Sequence, residues 1–215
     1  MNDVVNKITS KGIQTLYATP LFIAEITDEK VLDNAVDSIL KLKENKEGLD
    51  RIENWSTKDN LQTLPEFKEL ADIILYEVGK TLDTLTIKRE SHYIPCMWAN
   101  VSPIGTAHSA HIHSNSFFSG VLYLQMPEGS NPTVFLDPRA GVDMLRPEYE
   151  NPNPAILGAI WSTLPKRGTL LIFPSWLPHC VETAPFKPNH QRITLSFNIM
   201  LKTKINFHTT TVTFG

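Results

Sequence analysis

The spacing of hydrophobic positions changes once along this chain, near residue 90. Before that point apolar residues recur at helical intervals. Asp28 reads as a helix start, and Val31, Leu32, Ala35, Val36, Ile39, Leu40 and Leu42 then fall on one helical face. The run Thr63-Leu64-Pro65-Glu66 carries the cap, early proline and acidic residue of a second helix start. Phe67, Leu70, Ala71, Ile74, Leu75, Val78 and Leu82 continue it at helical spacing, so both stripes read as packing faces. Thr15 to Ile26 reads as a strand broken by Pro20, and the polar stretch Asn45 to Asn60 reads as loop.

Beyond residue 90 the pattern becomes short apolar or alternating runs punctuated by Pro, Gly and Asn. His92–Val101, Phe117–Gln125, Thr133–Leu136, Thr169–Phe173 and Arg192–Leu201 read as strands. The stretch Asp137 to Pro154, rich in Pro, Asn and Glu, is long enough for a lid or binding loop. Strands in such a series predict a sandwich or barrel of the jelly-roll type with helices packed on its outside. The expected class is α+β, mainly β. The expected division of a single structural domain is an N-terminal strand and helices over 1–90, a catalytic core over 91–202 and a tail over 203–215.

Composition narrows the reading. The chain has 215 residues, of which 41% are hydrophobic, which suits one compact domain. A formal net charge of -3 shows no basic excess, so no nucleic-acid partner is evident. The N-terminal MNDVVNKITSKG lacks a signal-peptide core, and no apolar run approaches a membrane span. A soluble cytoplasmic protein is expected, with Cys96 and Cys180 as reduced, buried thiols.

Three groups of residues carry chemistry. The first is the run from His108 to Asn115, HSAHIHSN. On a strand His111 and His113 would share a face and could share one cation; alone, the pair fits ordinary polar residues at a strand end equally well. The second is the run from Gly168 to Val181, in which an apolar strand meets a proline turn and then His179. A third imidazole from a distant strand would complete a metal site open on its far side. The third is Arg192-Ile-Thr-Leu-Ser-Phe-Asn198, where Arg192, Thr194, Ser196 and Asn198 share one strand face. The arginine fork suits a carboxylate and the threonine adds a hydroxyl, whereas a solvent-facing strand side usually carries Lys and Glu.

The order of HxH, G-x-L-x-x-F-P-S-x-x-x-H and R-x-T-x-S-F-N resembles the iron(II)/2-oxoglutarate oxygenase superfamily, in particular a small bacterial and phage branch related to prolyl hydroxylases. The resemblance covers roughly Trp98 to Leu201 and includes Ser119 to Leu124 and Phe135 to Arg139. It implies a double-stranded β-helix, the cupin-like jelly roll. It implies His111, His113 and His179 as ligands of Fe(II), and Arg192 with Thr194 on 2-oxoglutarate. Tyr123, on a strand that often supplies a cosubstrate-binding tyrosine, is a secondary candidate. The family usually has Asp where this chain has His113, and Asp137 is the alternative source of a carboxylate, although its Asp-Pro-Arg setting reads as a turn paired to Arg139.

The activity so implied is a non-haem dioxygenase that consumes O2, with ascorbate as an optional reductant. It would hydroxylate a small molecule or a peptidyl residue, proline among the candidates, and release succinate and CO2. Trp98, Asn100, Phe117, Trp161 and Trp176 are candidate pocket residues, and a homodimer is open. A jelly-roll metal or small-acid binding module without turnover is the rival reading. A three-histidine zinc hydrolase would need a general base, and neither histidine motif contains an Asp or Glu.

Overall fold

The computed structural model describes residues 12, 16–51, 54–139 and 160–206, positions 141, 144, 148, 150 and 158, and the backbone of 211–214. The stretch read as a lid lies largely outside them.

The strands are β1 (Phe22–Glu25), β2 (Gly48–Asp50), β3 (Trp55–Thr57), β4 (Ser91–Tyr93), β5 (Met97–Ile104), β6 (His108–His111), β7 (Phe118–Gln125), β8 (Thr133–Leu136), β9 (Ile160–Thr163), β10 (Thr169–Pro174), β11 (His179–Val181), β12 (Lys187–Asn206) and β13 (Thr211–Phe214). The helices are α1 (Glu29–Glu44) and α2 (Lys68–Thr84). The major sheet runs β1-β10-β7-β12-β5-β3-β2, with β4 and β13 pairing the long β12. The minor sheet runs β6-β11-β8-β9. Every pairing between named strands is antiparallel. Two antiparallel sheets with both helices on one side form the mainly-β, double-stranded β-helix architecture that the sequence implied.

Strand alternation divides the interior in two. On β12, Ile193, Leu195, Phe197 and Ile199 point into the core beneath the helices, with Leu32, Ile39, Ile74, Val78 and Leu82. On β10, Leu170 and Ile172 join that core, whereas Leu171 and Phe173 turn to the other face and pack with Tyr123, Phe135 and Leu177. Each such fully buried side chain contributes roughly 1.5–3 kcal/mol. The major sheet is therefore apolar toward the helices and mixed toward the minor sheet, which is where the site lies.

Local chemistry sets the element ends. Asp28 caps α1, its Oδ1 accepting from the N–H groups of Lys30 (3.1 Å) and Val31 (3.2 Å). The second helix starts later than its cap signal suggested. Thr63 spends its hydroxyl on the Asn60 carbonyl at 2.8 Å, Pro65 opens a 3-10 turn, and α2 begins at Lys68. Among the described residues, the strand expected over Thr15 to Ile26 is Phe22–Glu25, beyond Pro20. Asn45–Asn60 is not all loop, since β2 and β3 lie within it and add an edge to the major sheet. The strand expected over His92–Val101 is two, β4 and β5, separated by Pro95 and Cys96. Residues 203–206 continue β12, and β13 pairs back on it. Cys96 and Cys180 are free and half-buried rather than buried.

Candidate active site

The minor sheet carries the histidines. His179, the first residue of β11, stands directly opposite His111 of β6. The chain reaches it through a turn closed by the Leu177 N–H on the Pro174 carbonyl at 2.9 Å. His113 does not share a strand with His111 as expected, because β6 ends at His111. It is held instead by its own N–H on the Ser175 carbonyl at 2.9 Å.

The three imidazoles still converge, each offering a ring nitrogen within 4.8 Å of the others. His179 Nδ1 lies 2.9 Å from the Leu177 carbonyl and His111 Nδ1 lies 2.8 Å from the Ser109 carbonyl. A proton on each Nδ1 satisfies those carbonyls and leaves Nε2 as a lone pair aimed at the centre. The Nε2 atoms of His113 and His179 are 3.3 Å apart. Neighbouring ligands at roughly 2.1 Å from an octahedral ion would be about 3 Å apart, so the spacing fits a shared cation. Burial, then electrostatic repulsion from the neighbouring imidazoles, pushes the His113 imidazole down to about 4. Burial also pushes His179 down to about 4, against the Leu177 carbonyl, which favours its protonated form. Both are neutral at pH 7, the state that metal binding requires.

Asp137 does not join this group. Both its carboxylate oxygens accept from Arg139 Nε, at 2.9 and 3.1 Å, and that hydrogen bonding holds its carboxyl below the usual range. The turn reading of Asp-Pro-Arg is the one observed.

The same pocket collects the predicted anion-binding residues. Arg192, Thr194 and Tyr123 line it with His111, His113 and His179. Arg192 is 8% exposed, its Nη1 is buried without a hydrogen-bond partner among the described residues, and burial lowers its pKa. Thr194 sits opposite Tyr123 across the β12–β7 pairing. The Tyr123 hydroxyl lies 2.6 Å from Thr133 Oγ1, and burial pushes the phenol up to about 12, so it stays neutral. No carboxylate lines this pocket among the described residues, and its one permanent cation is Arg192.

Of the aromatic and amide candidates, Trp98 and Asn100 line the pocket; Phe117, Trp161 and Trp176 do not. Trp161 meets Phe135 at a tilt, with ring centroids 5.9 Å apart, and Phe117 and Trp176 are exposed. The sequence reading missed Ser102, Thr133 and the part played by His108, whose ring meets His111 edge-on at 5.3 Å. A signal for Ser102 was present. Trp98, Asn100 and Ser102 alternate on β5, and each stands opposite Ser196, Thr194 or Arg192 of β12. The amide of Asn100 is oriented by Ser56, whose hydroxyl donates to Oδ1 at 2.7 Å.

Comparison with known proteins bears on the family and the fold. Residues 96–198 match the family model of 2OG-Fe(II) oxygenases, where 2OG is 2-oxoglutarate. No curated protein matches in sequence. Among solved structures, the chain is similar to a Pseudomonas putida prolyl-4-hydroxylase (TM-score 0.60, 14% identity, 84% of this chain and 92% of that one). It is also similar to a viral collagen prolyl hydroxylase from Paramecium Bursaria Chlorella virus-1, solved as a 2OG complex (TM-score 0.53, 13% identity, 83% of this chain and 94% of that one). A third is HygX from Streptomyces hygroscopicus with nickel and 2-oxoglutarate bound (TM-score 0.57, 10% identity, 85% of this chain and 82% of that one). At these identities the structures attest the fold.

Proposed function

With residues 96–198 matched to the 2OG-Fe(II) oxygenases, we propose that the protein is a non-haem iron(II) and 2-oxoglutarate-dependent dioxygenase acting through His111, His113, His179, Arg192, Thr194 and Tyr123. The observation that carries the proposal is the unpartnered, buried Nη1 of Arg192 in the pocket that also holds three converging imidazoles. A buried guanidinium without a partner is costly, and a carboxylate is the group its fork fits.

The chain's own residues divide the work. His111, His113 and His179 bind the ion as neutral ligands, and the carbonyls of Ser109 and Leu177 fix the ring orientation of His111 and His179. Arg192 and Thr194 hold the distal carboxylate of 2-oxoglutarate. Tyr123 stays protonated and offers its O–H beside them. Phe173, whose ring lies 4.7 Å from His179, and Leu171 exclude water from that side. Iron(II), 2-oxoglutarate and O2, when bound, supply the oxidation of a substrate C–H bond, with succinate and CO2 as the other products.

The substrate is a small molecule or a peptidyl residue, proline among the candidates, and hydroxylation is the expected outcome. The prolyl hydroxylases among the structural relatives support the choice of proline as the first residue to test. The test is succinate formation from 2-oxoglutarate by the purified protein with Fe(II), O2 and ascorbate. Succinate that depends on Fe(II) and is lost in His179→Ala supports the proposal. Tight metal binding with no 2-oxoglutarate turnover or binding would instead make the protein a jelly-roll metal-binding module.

A further inference from the structure

The polar face of β12 extends past the pocket. Arg192, Thr194 and Ser196 line the pocket, but the next residue on that face, Asn198, does not, and it is only 8% exposed. Its Oδ1 accepts from Ser119 Oγ at 2.8 Å, and its Nδ2 donates to Cys96 Sγ at 3.2 Å. Ser119 Oγ also lies 2.8 Å from Ser175 Oγ. Ser119 has one hydroxyl proton and gives it to Asn198, so it must accept from Ser175. The chain therefore has one direction, from Ser175 to Ser119 to Asn198. Ser119 and Ser175 are each 1% exposed, so losing one member leaves a buried polar group unsatisfied.

The Ser175 end of this chain meets the histidines. The Ser175 carbonyl accepts from the His113 N–H at 2.9 Å, and its N–H donates to the Phe117 carbonyl at 3.1 Å. Those bonds clamp the segment carrying His113, which has left β6 and turns at Asn115 with φ +57°. The same turn leads from Pro174 to His179. Ser175 is thus where the His113 segment and the approach to His179 are joined.

We infer that Asn198, acting through Ser119 and Ser175, is a positioning residue that sets His113 against His179. The inference rests on the reading of these histidines as metal ligands. Asn198 touches neither ligand; it fixes the backbone that carries them.

The test is titration of the full chain with Co(II), read by its d–d absorption, in wild type, Ser119→Ala, Asn198→Leu and the double variant. Each single variant should weaken Co(II) binding by about tenfold or more and alter the absorption. The double variant should be no weaker than the worse single, because one broken chain cannot be broken twice. Asn198→Asp, which keeps the acceptor oxygen for Ser119, should recover most of the affinity. Ser119→Ala removes a single oxygen and keeps the test readable if Asn198→Leu does not fold. A lower melting temperature with wild-type Co(II) affinity and spectrum would make the network merely structural and overturn the inference. Losses that simply add in the double variant would do the same. A wild type that binds no Co(II) would overturn the metal reading as well, whereas binding that none of the variants disturbs overturns the inference alone.

Discussion

Replacing Arg192 with leucine should move two quantities in opposite directions. Arg192 is 8% exposed and its buried Nη1 has no partner among the described residues, so an anion bound there would relieve a cost. An unsatisfied buried donor costs about 1–3 kcal/mol, more when it is charged. Leucine removes the group, and even a 1 kcal/mol gain should raise the melting temperature of the ligand-free protein by about 2–4 °C. 2-Oxoglutarate binding should change in the other sense. Each charge-assisted bond from the guanidinium contributes roughly 1.5–3 kcal/mol, and about 1.4 kcal/mol is tenfold in affinity, so the loss of even one bond should weaken binding at least tenfold. The assay is 2-oxoglutarate titration of the iron-loaded, oxygen-free protein by its metal-to-ligand absorption band, alongside calorimetry of the ligand-free protein. General damage to the fold would lower both quantities. Wild-type affinity in Arg192→Leu would place the clamp elsewhere, and a melting temperature several degrees lower would show that Arg192 holds the fold together.

Three other outcomes are expected. His179→Ala and His111→Ala should each abolish iron binding, and wild-type iron stoichiometry in both would refute the metal assignment. His113→Asp should retain metal, since the carboxylate restores the family's commoner triad; complete loss of metal with intact circular dichroism would give His113 another role. Burial holds His113 and His179 down at about 4, below the ordinary imidazole value of 6.5, so between those values the unfolded chain binds more protons than the folded one. The metal-free protein should therefore lose stability as pH falls from about 6.5 to about 4, and melting curves should show a shallower slope in His179→Ala; an identical slope would refute the assignment.

Much of this architecture was legible in the sequence wherever a periodic pattern ran long enough. Both helix faces were readable because burial on one side preserves a helical period over sixteen and seventeen residues. The alternating face of β12 was readable for the same reason, and it exposed Arg192 and Thr194. The short strands β2 and β3 were not. Three residues are too few for an alternation to show, and β3 gains its place from the sequence-distant β5, with β2 pairing onto it. The site itself was legible as residue types but not as geometry. His113 was expected on the strand of His111 because a spacing of two suggests one, yet β6 stops first and a carbonyl from a remote turn takes over. Ser102, Ser119 and Ser175 lie within patterns that the sequence shows, but their roles depend on cross-strand register and hydrogen bonds that no local pattern gives.

The placement of His179 opposite His111 has a consequence for how the protein obtains its metal. Backbone pairing between β6 and β11, and not only a shared ion, holds the two rings side by side. A zinc finger, in contrast, folds only when its metal arrives. Here chelators should strip the ion and leave a folded protein that can be reloaded. Such a ready-made cage of imidazoles discriminates poorly among divalent ions of similar size. Affinity alone then follows the general order that ranks nickel and copper above iron(II). If these imidazoles hold the metal, the ion that fills the site would be decided by which ions are available to the protein.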